Sequence, residues 1–228
     1  MKKRALTQAL FLAVPAALLV YFFVRPFTQE IGSQTVYIGE LTAEQINNVQ
    51  VAAKSLDGVI LQPGQVFSFN KIVGPRTFIR GYDSAPSYLN SESPSTFGGG
   101  ICVVSSAVYQ LALSAGFPII ERLPHQKTVR SVMPGLDATV WYGKADLRFE
   151  NNLPTPVRIK ALVDRNDITV KLLGCQPKDE VTVRRLVTRE TSDHIQVEVF
   201  RQIKDKTTLV SRDLYALVPR HAQQHHNH

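Results

Sequence analysis

The sequence predicts an α+β domain in which two early helices pack on a mostly antiparallel sheet. Three observations carry this. Thr42-Ala-Glu-Gln45 has the form of a capping box, with Thr42 as N-cap and Gln45 reaching back to it. Val104, Val108, Leu111 and Ala115 recur at helical spacing and share one face. From Ile119 onward the pattern changes to short apolar runs separated by turn residues, which is the pattern of strands.

Before the domain, Lys2, Lys3 and Arg4 form a basic start, and Ala5 to Val24 follows with only Thr7 and Gln8 as polar interruptions. At about 1.5 Å per residue such a run matches the roughly 30 Å of a hydrocarbon core. The positive-inside rule puts the basic start in the cytoplasm and the rest of the chain outside. Residues 1–25 are therefore expected to be a transmembrane anchor, and the chain a single-pass protein of the cytoplasmic membrane. A cleaved signal peptide is the alternative; no convincing small-x-small cleavage site stands near Tyr21 to Phe27.

Residues 26–41 read as a linker and first strand, with the linker running from Arg25 to Ser33 and a strand at Thr35 to Ile38. The first helix should run from Thr42 to about Ser55, ended by the Asp57-Gly58 turn. Val59 to Leu61 and Val66 to Phe69 read as strands about Pro63-Gly64. A loop region follows, and Gly98-Gly-Gly100 opens the second helix, Cys102 to Ala115, which Gly116 and Pro118 stop. Later strands are expected at Ile119 to Arg122, Val129 to Val132, Ala138 to Trp141 and Asp146 to Phe149. Val157 to Val163 and Ile168 to Leu173 form a hairpin. Val181 to Val187, Ile195 to Ile203 and Thr208 to Val218 complete the set. The main domain spans 42–174, a C-terminal β-hairpin extension 175–220, and a disordered tail 221–228.

The formal net charge is +7. Four of the 26 basic residues lie in the first 25, which hold no acidic residue, so 22 basic residues face 19 acidic ones in the remainder. No Lys/Arg run stands there, which argues against nucleic acid as a partner. No spaced Cys/His set suggests structural zinc, and no metal or other cofactor is expected. The histidine-rich tail from His221 to His228 could hold a metal, but reads more simply as a disordered end.

The densest chemical signal is Gly98-Gly-Gly-Ile-Cys102-Val-Val-Ser105-Ser106. Consecutive glycines cost chain entropy and are useful where backbone must approach something closely. A cysteine at a helix start lies in a positive field that favours its thiolate. His125 follows on an extended segment, and Asp137 leads the apolar run Ala138 to Trp141. A thiol, a histidine to take its proton and an acid to orient the imidazole form the logic of a nucleophilic triad. Helix-start N–H groups could serve an oxyanion. Two other roles stay open for Cys102: a small buried hydrophobe, or a disulfide with Cys175. The unrelated contexts of the two cysteines favour the unpaired state.

At this point a family resemblance is visible. Pro63-Gly-Gln-Val-Phe-Ser-Phe-Asn70, Val73-Gly-Pro-Arg-Thr77, Arg80-Gly-Tyr82, Gly98-Gly-Gly-Ile-Cys102, Ser105-Ser106, Glu121-Arg122, His125, Gly135-Leu-Asp-Ala-Thr139 and Asp146-Leu147 together resemble a VanW-like domain. The resemblance covers roughly Thr42 to Gly174 and implies an exported or membrane-anchored envelope protein. One departure is plain: the family usually carries Gln after the cysteine, and this chain carries Val103. The order Cys-helix, His, Asp is also similar to papain-like and transglutaminase-like proteins, which by analogy implies a core of that kind.

The candidate substrate-binding residues are Gly98, Gly99, Gly100, Ser105, Ser106, Arg76, Arg80 and Tyr82. Arg76, Arg80 and Tyr82 sit in a Gly/Pro-rich loop region that could take carboxylates such as peptide-stem termini. Local pairing of the two arginines with Asp83 or Glu92 is the alternative. The expected function is that of an extracytoplasmic envelope protein, as a cysteine-dependent acyl-transfer or amide-bond enzyme on peptidoglycan peptides. The alternative is a non-catalytic module binding the cell wall or another envelope protein.

Overall fold

The computed structural model describes residues 27–87, 95–175 and 179–218. The apolar N-terminal segment and the histidine-rich tail lie outside the described residues. No helix among the described residues is long and apolar enough to cross a membrane.

The chain opens with β1 (Gln29–Tyr37), then α1 (Ala43–Leu56), β2 (Ile60–Leu61), β3 (Val66–Ser68) and the short α2 (Phe69–Val73). A 3-10 turn (Phe78–Arg80), β4 (Ser84–Pro86) and β5 (Ser95–Phe97) lead to α3 (Cys102–Ser114). Then come β6 (Ile119–Glu121), β7 (Arg148–Glu150), β8 (Val157–Val163), β9 (Asp167–Gly174), β10 (Val181–Glu190), β11 (His194–Ile203) and β12 (Lys206–Ala216).

The helices start as their sequences dictate. The Thr42 hydroxyl accepts from Gln45 N–H while the Gln45 side chain accepts from Thr42 N–H, closing the capping box. α3 is buried on nearly every side, from Val103 through Leu113, and forms the centre of the core. It rests on the sheet β1-β9-β8-β2. In β9 the alternate residues Ile168, Val170 and Leu172 are buried, as period-two patterning requires. Full burial of such aliphatic side chains contributes about 1.5–3 kcal/mol each.

The architecture is α+β, and every pairing between named strands is antiparallel. The strands do not merge into one large late sheet. They divide into β1-β9-β8-β2, β10-β11-β12, β3-β7-β6 and the pair β4-β5. The expected C-terminal hairpin is thus a three-stranded sheet. Most of the segment expected as a linker is the first half of β1, paired with the end of β9.

Two expected strands, Val129 to Val132 and Ala138 to Trp141, are not strands. For the second the reason is explicit. Ala138 donates its N–H to Ser106 Oγ at 2.9 Å, and its carbonyl accepts from Ser105 Oγ at 2.6 Å. Hydroxyls of α3 stand where a neighbouring strand would be. Beyond them, Thr139 N–H donates to Leu123 O at 2.8 Å, forming an isolated antiparallel bridge. That bridge lays the stretch carrying Arg122 and His125 alongside the stretch carrying Asp137.

Candidate active site

Cys102 is the first residue of α3 and is half-buried. Its sulfur lies 3.8 Å from the Val140 carbonyl oxygen, and Cys102 and His125 share one cleft wall, where the thiol interacts electrostatically with the ring. His125 is buried, and its Nδ1 lies 2.6 Å from Asp137 Oδ2. With Nδ1 held by the carboxylate, Nε2 is the ring nitrogen left to face sulfur. The same Oδ2 also accepts the His125 backbone N–H at 2.7 Å, which fixes the ring's base as well as its edge.

Asp137 is almost wholly buried and its other oxygen is also engaged. Oδ1 accepts from Arg122 Nη2 at 2.9 Å, from Tyr215 Oη at 2.6 Å and from Gly135 N–H at 3.3 Å. Arg122 Nε donates to the Asp137 carbonyl at 2.7 Å, and Nη1 pairs with Asp213 at 2.6 Å. Its guanidinium also lies over the Tyr109 ring.

The electrostatics follow from these contacts. Burial alone would raise the Asp137 carboxyl, but the bond to His125 and the charge of Arg122 outweigh it and hold the group at about 2. Burial alone would suppress charge on His125. The bond to Asp137 and the interaction with the Cys102 sulfur prevail and push the imidazole up to about 9.

The Ser105 and Ser106 hydroxyls fasten this assembly. Ser106 donates to the Cys102 carbonyl at 2.6 Å and accepts from Ala138 N–H, while Ser105 shares its one proton between the Ala138 carbonyl at 2.6 Å and the Cys102 carbonyl at 3.1 Å. They join the turn that carries the thiol to the segment that follows the acid. Ser106 reaches the cleft wall; Ser105 does not.

A cleft of about 240 Å³ opens in front of the sulfur. Arg76, Gly98, Gly100, Cys102, Ser106 and His125 line it, with Val103, Val140, Trp141 and Tyr142. Gly99 sits behind the wall, where a Cβ would lie 2.3 Å from the Ala85 carbonyl oxygen. The glycine run therefore serves close backbone packing at Gly99.

Arg80 and Tyr82 do not line this cleft. Arg80 Nη2 donates to the Val73 carbonyl at 2.9 Å, and the side chain faces a separate depression with Asp146 and Glu121. Tyr82 is fully buried. Neither arginine pairs with Asp83, whose carboxylate accepts from Asn47; Glu92 lies outside the described residues. Cys102 and Cys175 are both free thiols.

Among the described residues no cluster of His, Cys, Asp and Glu is arranged to hold a metal ion. Sequence reasoning did not single out Arg122, Asp213 or Tyr215 as site residues. For Arg122 the signal was its place beside Glu121 in the quoted motifs; for the other two the sequence carries none.

A family model described as VanW like protein matches residues 44–173, more than half of the chain. The chain belongs to the VanW-like family. Within this VanW-like chain, Cys102, His125 and Asp137 all fall in the matched segment, whereas Asp213 and Tyr215 lie beyond it. The chain is similar to Uncharacterized protein YoaR of Bacillus subtilis, 39% identical over 134 residues, which are 59% of this chain and 44% of that protein. It is also similar to Vancomycin B-type resistance protein VanW of Enterococcus faecalis, 27% identical over 129 residues, 54% of this chain and 47% of that protein. The matched stretch thus spans about half the length of these curated relatives. No solved structure matches the chain.

Proposed function

We propose that this VanW-like chain is a cysteine-dependent acyl-transfer or amide-bond enzyme acting on cell-wall peptides. The observation that carries the reading is the line from the Cys102 sulfur through the His125 ring to Asp137, set at the wall of a cleft. Such a line takes a proton from the thiol and returns it to a leaving amine. In the reaction, Sγ bonds to the amide carbonyl carbon and the C–N bond breaks. His125 passes the thiol proton to the departing nitrogen, leaving a thioester. Water or a second amine then releases the acyl group and regenerates the thiol. Asp137 holds Nδ1 and so orients the ring with its Nε2 edge toward sulfur.

Helix-start amides are a source of oxyanion donors. Those of Ile101, Val103, Val104 and Ser105 are already bonded within the turn. The Cys102 amide has no acceptor among the described residues and is the donor this reading assigns to the oxyanion. By analogy this reading likens the arrangement to that of papain-like or transglutaminase-like proteins, in which a helix-start cysteine meets a histidine from following extended chain.

The envelope location rests on the basic start and apolar run of residues 1–25, read as an anchor that leaves the domain outside the cytoplasmic membrane. The printed name of the Enterococcus faecalis relative, a vancomycin resistance protein, supports a wall-related substrate.

The competing reading is a non-catalytic module that binds the wall or an envelope protein. Val103 favours it: beside Cys102, on the cleft wall, it offers a reacting carbonyl no hydrogen bond. Alkylation separates the two. Cys175 is also free and half-buried, so it serves as an internal reference. The enzyme reading expects iodoacetamide at neutral pH to label Cys102 well before Cys175, and His125→Ala to remove the difference. It also expects Cys102→Ser to abolish processing of wall peptides with the fold intact. Equal labelling, with wall binding unaffected by Cys102→Ser, supports the module.

A further inference from the structure

Arg76 shares the cleft with Cys102 and His125, yet its charge is unanswered. Nη1 donates to the Gly74 carbonyl at 2.9 Å. Nη2 is shut off from water and has no hydrogen-bond partner. The carboxylate that bears on it electrostatically, Asp146, is occupied elsewhere. Its oxygens accept from Ser68 Oγ and from the N–H groups of Asn70 and Leu147. The hydroxyl of Tyr82, which interacts electrostatically with Arg76, is likewise buried without a partner. A desolvated guanidinium lacking an anion is costly, and burial alone lowers its pKa.

The position is nevertheless built. The guanidinium carbon lies 5.5 Å above the Phe69 ring centroid and 5.9 Å from that of Tyr142. The aliphatic stem lies across Gly98, where a Cβ would come within 2.6 Å of Arg76 Cγ. The glycine therefore makes room for the arginine.

We propose that the Arg76 end of the cleft is a carboxylate subsite, and that the substrate is a peptide whose free C-terminal carboxylate lies one or two residues from the bond facing Cys102. The distance to the scissile bond rests on the acyl-transfer reading; the subsite itself does not. A carboxylate fits better than a phosphate for two reasons. Arg76 is the one arginine or lysine among the described residues lining the cleft. Most of the amides at the glycine run that would cradle a phosphate are spent, with Gly98 N–H on Asp83 O, Gly99 N–H on Thr96 O and Ile101 N–H on Gly98 O, which leaves Gly100 alone there. The cleft, about 240 Å³, falls below the usual range for drug-sized ligands, which limits the occupant to a residue or two beyond the reacting group.

The test uses the full chain carrying Cys102→Ser, so binding is read without turnover. Acetyl-alanyl-alanine, in its D,D and L,L forms, is titrated calorimetrically against the same peptides as C-terminal amides. At least one acid should bind about tenfold or more tighter than its amide, as a charge-assisted bond predicts. Arg76→Gln should erase that preference and Arg76→Lys keep part of it, while Arg184→Gln, an exposed charge change, should leave it intact. Circular dichroism on each variant separates lost binding from lost fold. Equal binding of acid and amide, a preference that survives Arg76→Gln, no binding by the folded protein, or tighter Arg76-dependent binding of glycerol phosphate would each overturn the subsite. If acid preference persists while Cys102 labels no faster than Cys175, the subsite stands and the acyl-transfer reading falls.

Discussion

The Tyr215 hydroxyl donates a 2.6 Å hydrogen bond to Oδ1 of Asp137, although 78 residues separate the two. The same hydroxyl accepts from Arg122 Nη2 at 3.0 Å and from Gly135 N–H at 2.7 Å. Tyr215→Phe therefore removes one donor to the acid and one acceptor for two buried N–H groups. The expected cost is about 1–3 kcal/mol in urea unfolding. The His125 titration, followed by NMR, should stay above the ordinary histidine value, because Oδ2 still holds Nδ1. A drop of His125 to its ordinary value in this variant would show that the tyrosine, not the carboxylate bond, sustains the charge.

Stability should depend on pH through the same pair. His125 rises to about 9 in the folded chain against about 6.5 unfolded. Its contribution is therefore complete below about 6.5 and is lost as pH rises through about 9. Asp137 is lowered to about 2 from 3.8, so its contribution is complete above 3.8 and is lost as pH falls through about 2. For this pair the melting temperature should be flat between about 4 and 6.5 and decline from 6.5 to 9. His125→Gln should flatten the alkaline decline; an unchanged slope would assign it to other groups.

Ser106→Ala leaves the Ala138 N–H buried without an acceptor and frees the Cys102 carbonyl from its shorter serine bond. The expected loss is about 1–3 kcal/mol. Cys102 labelling should slow as well, since the turn carrying the thiol is then tied to the Asp137 segment only through Ser105. Urea melts and alkylation rates on the one variant check both halves.

Gly98→Ala and Gly99→Ala should differ in severity, although the sites are adjacent. At Gly98 the new Cβ meets the Arg76 side chain, which can move, and the left-handed backbone adds about 1–2 kcal/mol. At Gly99 it meets the Ala85 and Pro86 carbonyl oxygens at 2.3 and 2.5 Å, which belong to backbone and cannot step aside cheaply. Thermal unfolding should rank Gly99→Ala as the more damaging of the two. The opposite order would mean that the β4-β5 pair yields more easily than Arg76.

Signals confined to a few neighbouring residues were readable in advance. The Thr42–Gln45 box, the start of α3 at Cys102 and the hairpin of β8 and β9 depend on short-range chemistry. The His125–Asp137 pairing follows from residue types and their order along the chain. What the sequence hid depends on tertiary placement. Ala138 to Trp141 has strand composition, but serine hydroxyls from a helix answer its first residue. Arg76 and Arg80 share one loop, yet only Arg76 turns into the cleft, because Arg80 is drawn to the Val73 carbonyl. Asp213 and Tyr215 reach Arg122 and Asp137 across more than 75 residues, and no spacing rule encodes such a meeting.

β12, which carries Asp213 and Tyr215, is synthesised after every other strand described. Chains are made from the N-terminus, and early parts begin to fold while later parts are still absent. During that interval Asp137 lacks its tyrosine and Arg122 lacks its second carboxylate. The thiol of Cys102 and the ring of His125 are already made by then, but the carboxylate behind them is incompletely held. The order of synthesis thus acts as a delay: the grouping of Asp137 with Arg122 is fully braced only once β12 docks and brings Asp213 and Tyr215 to it.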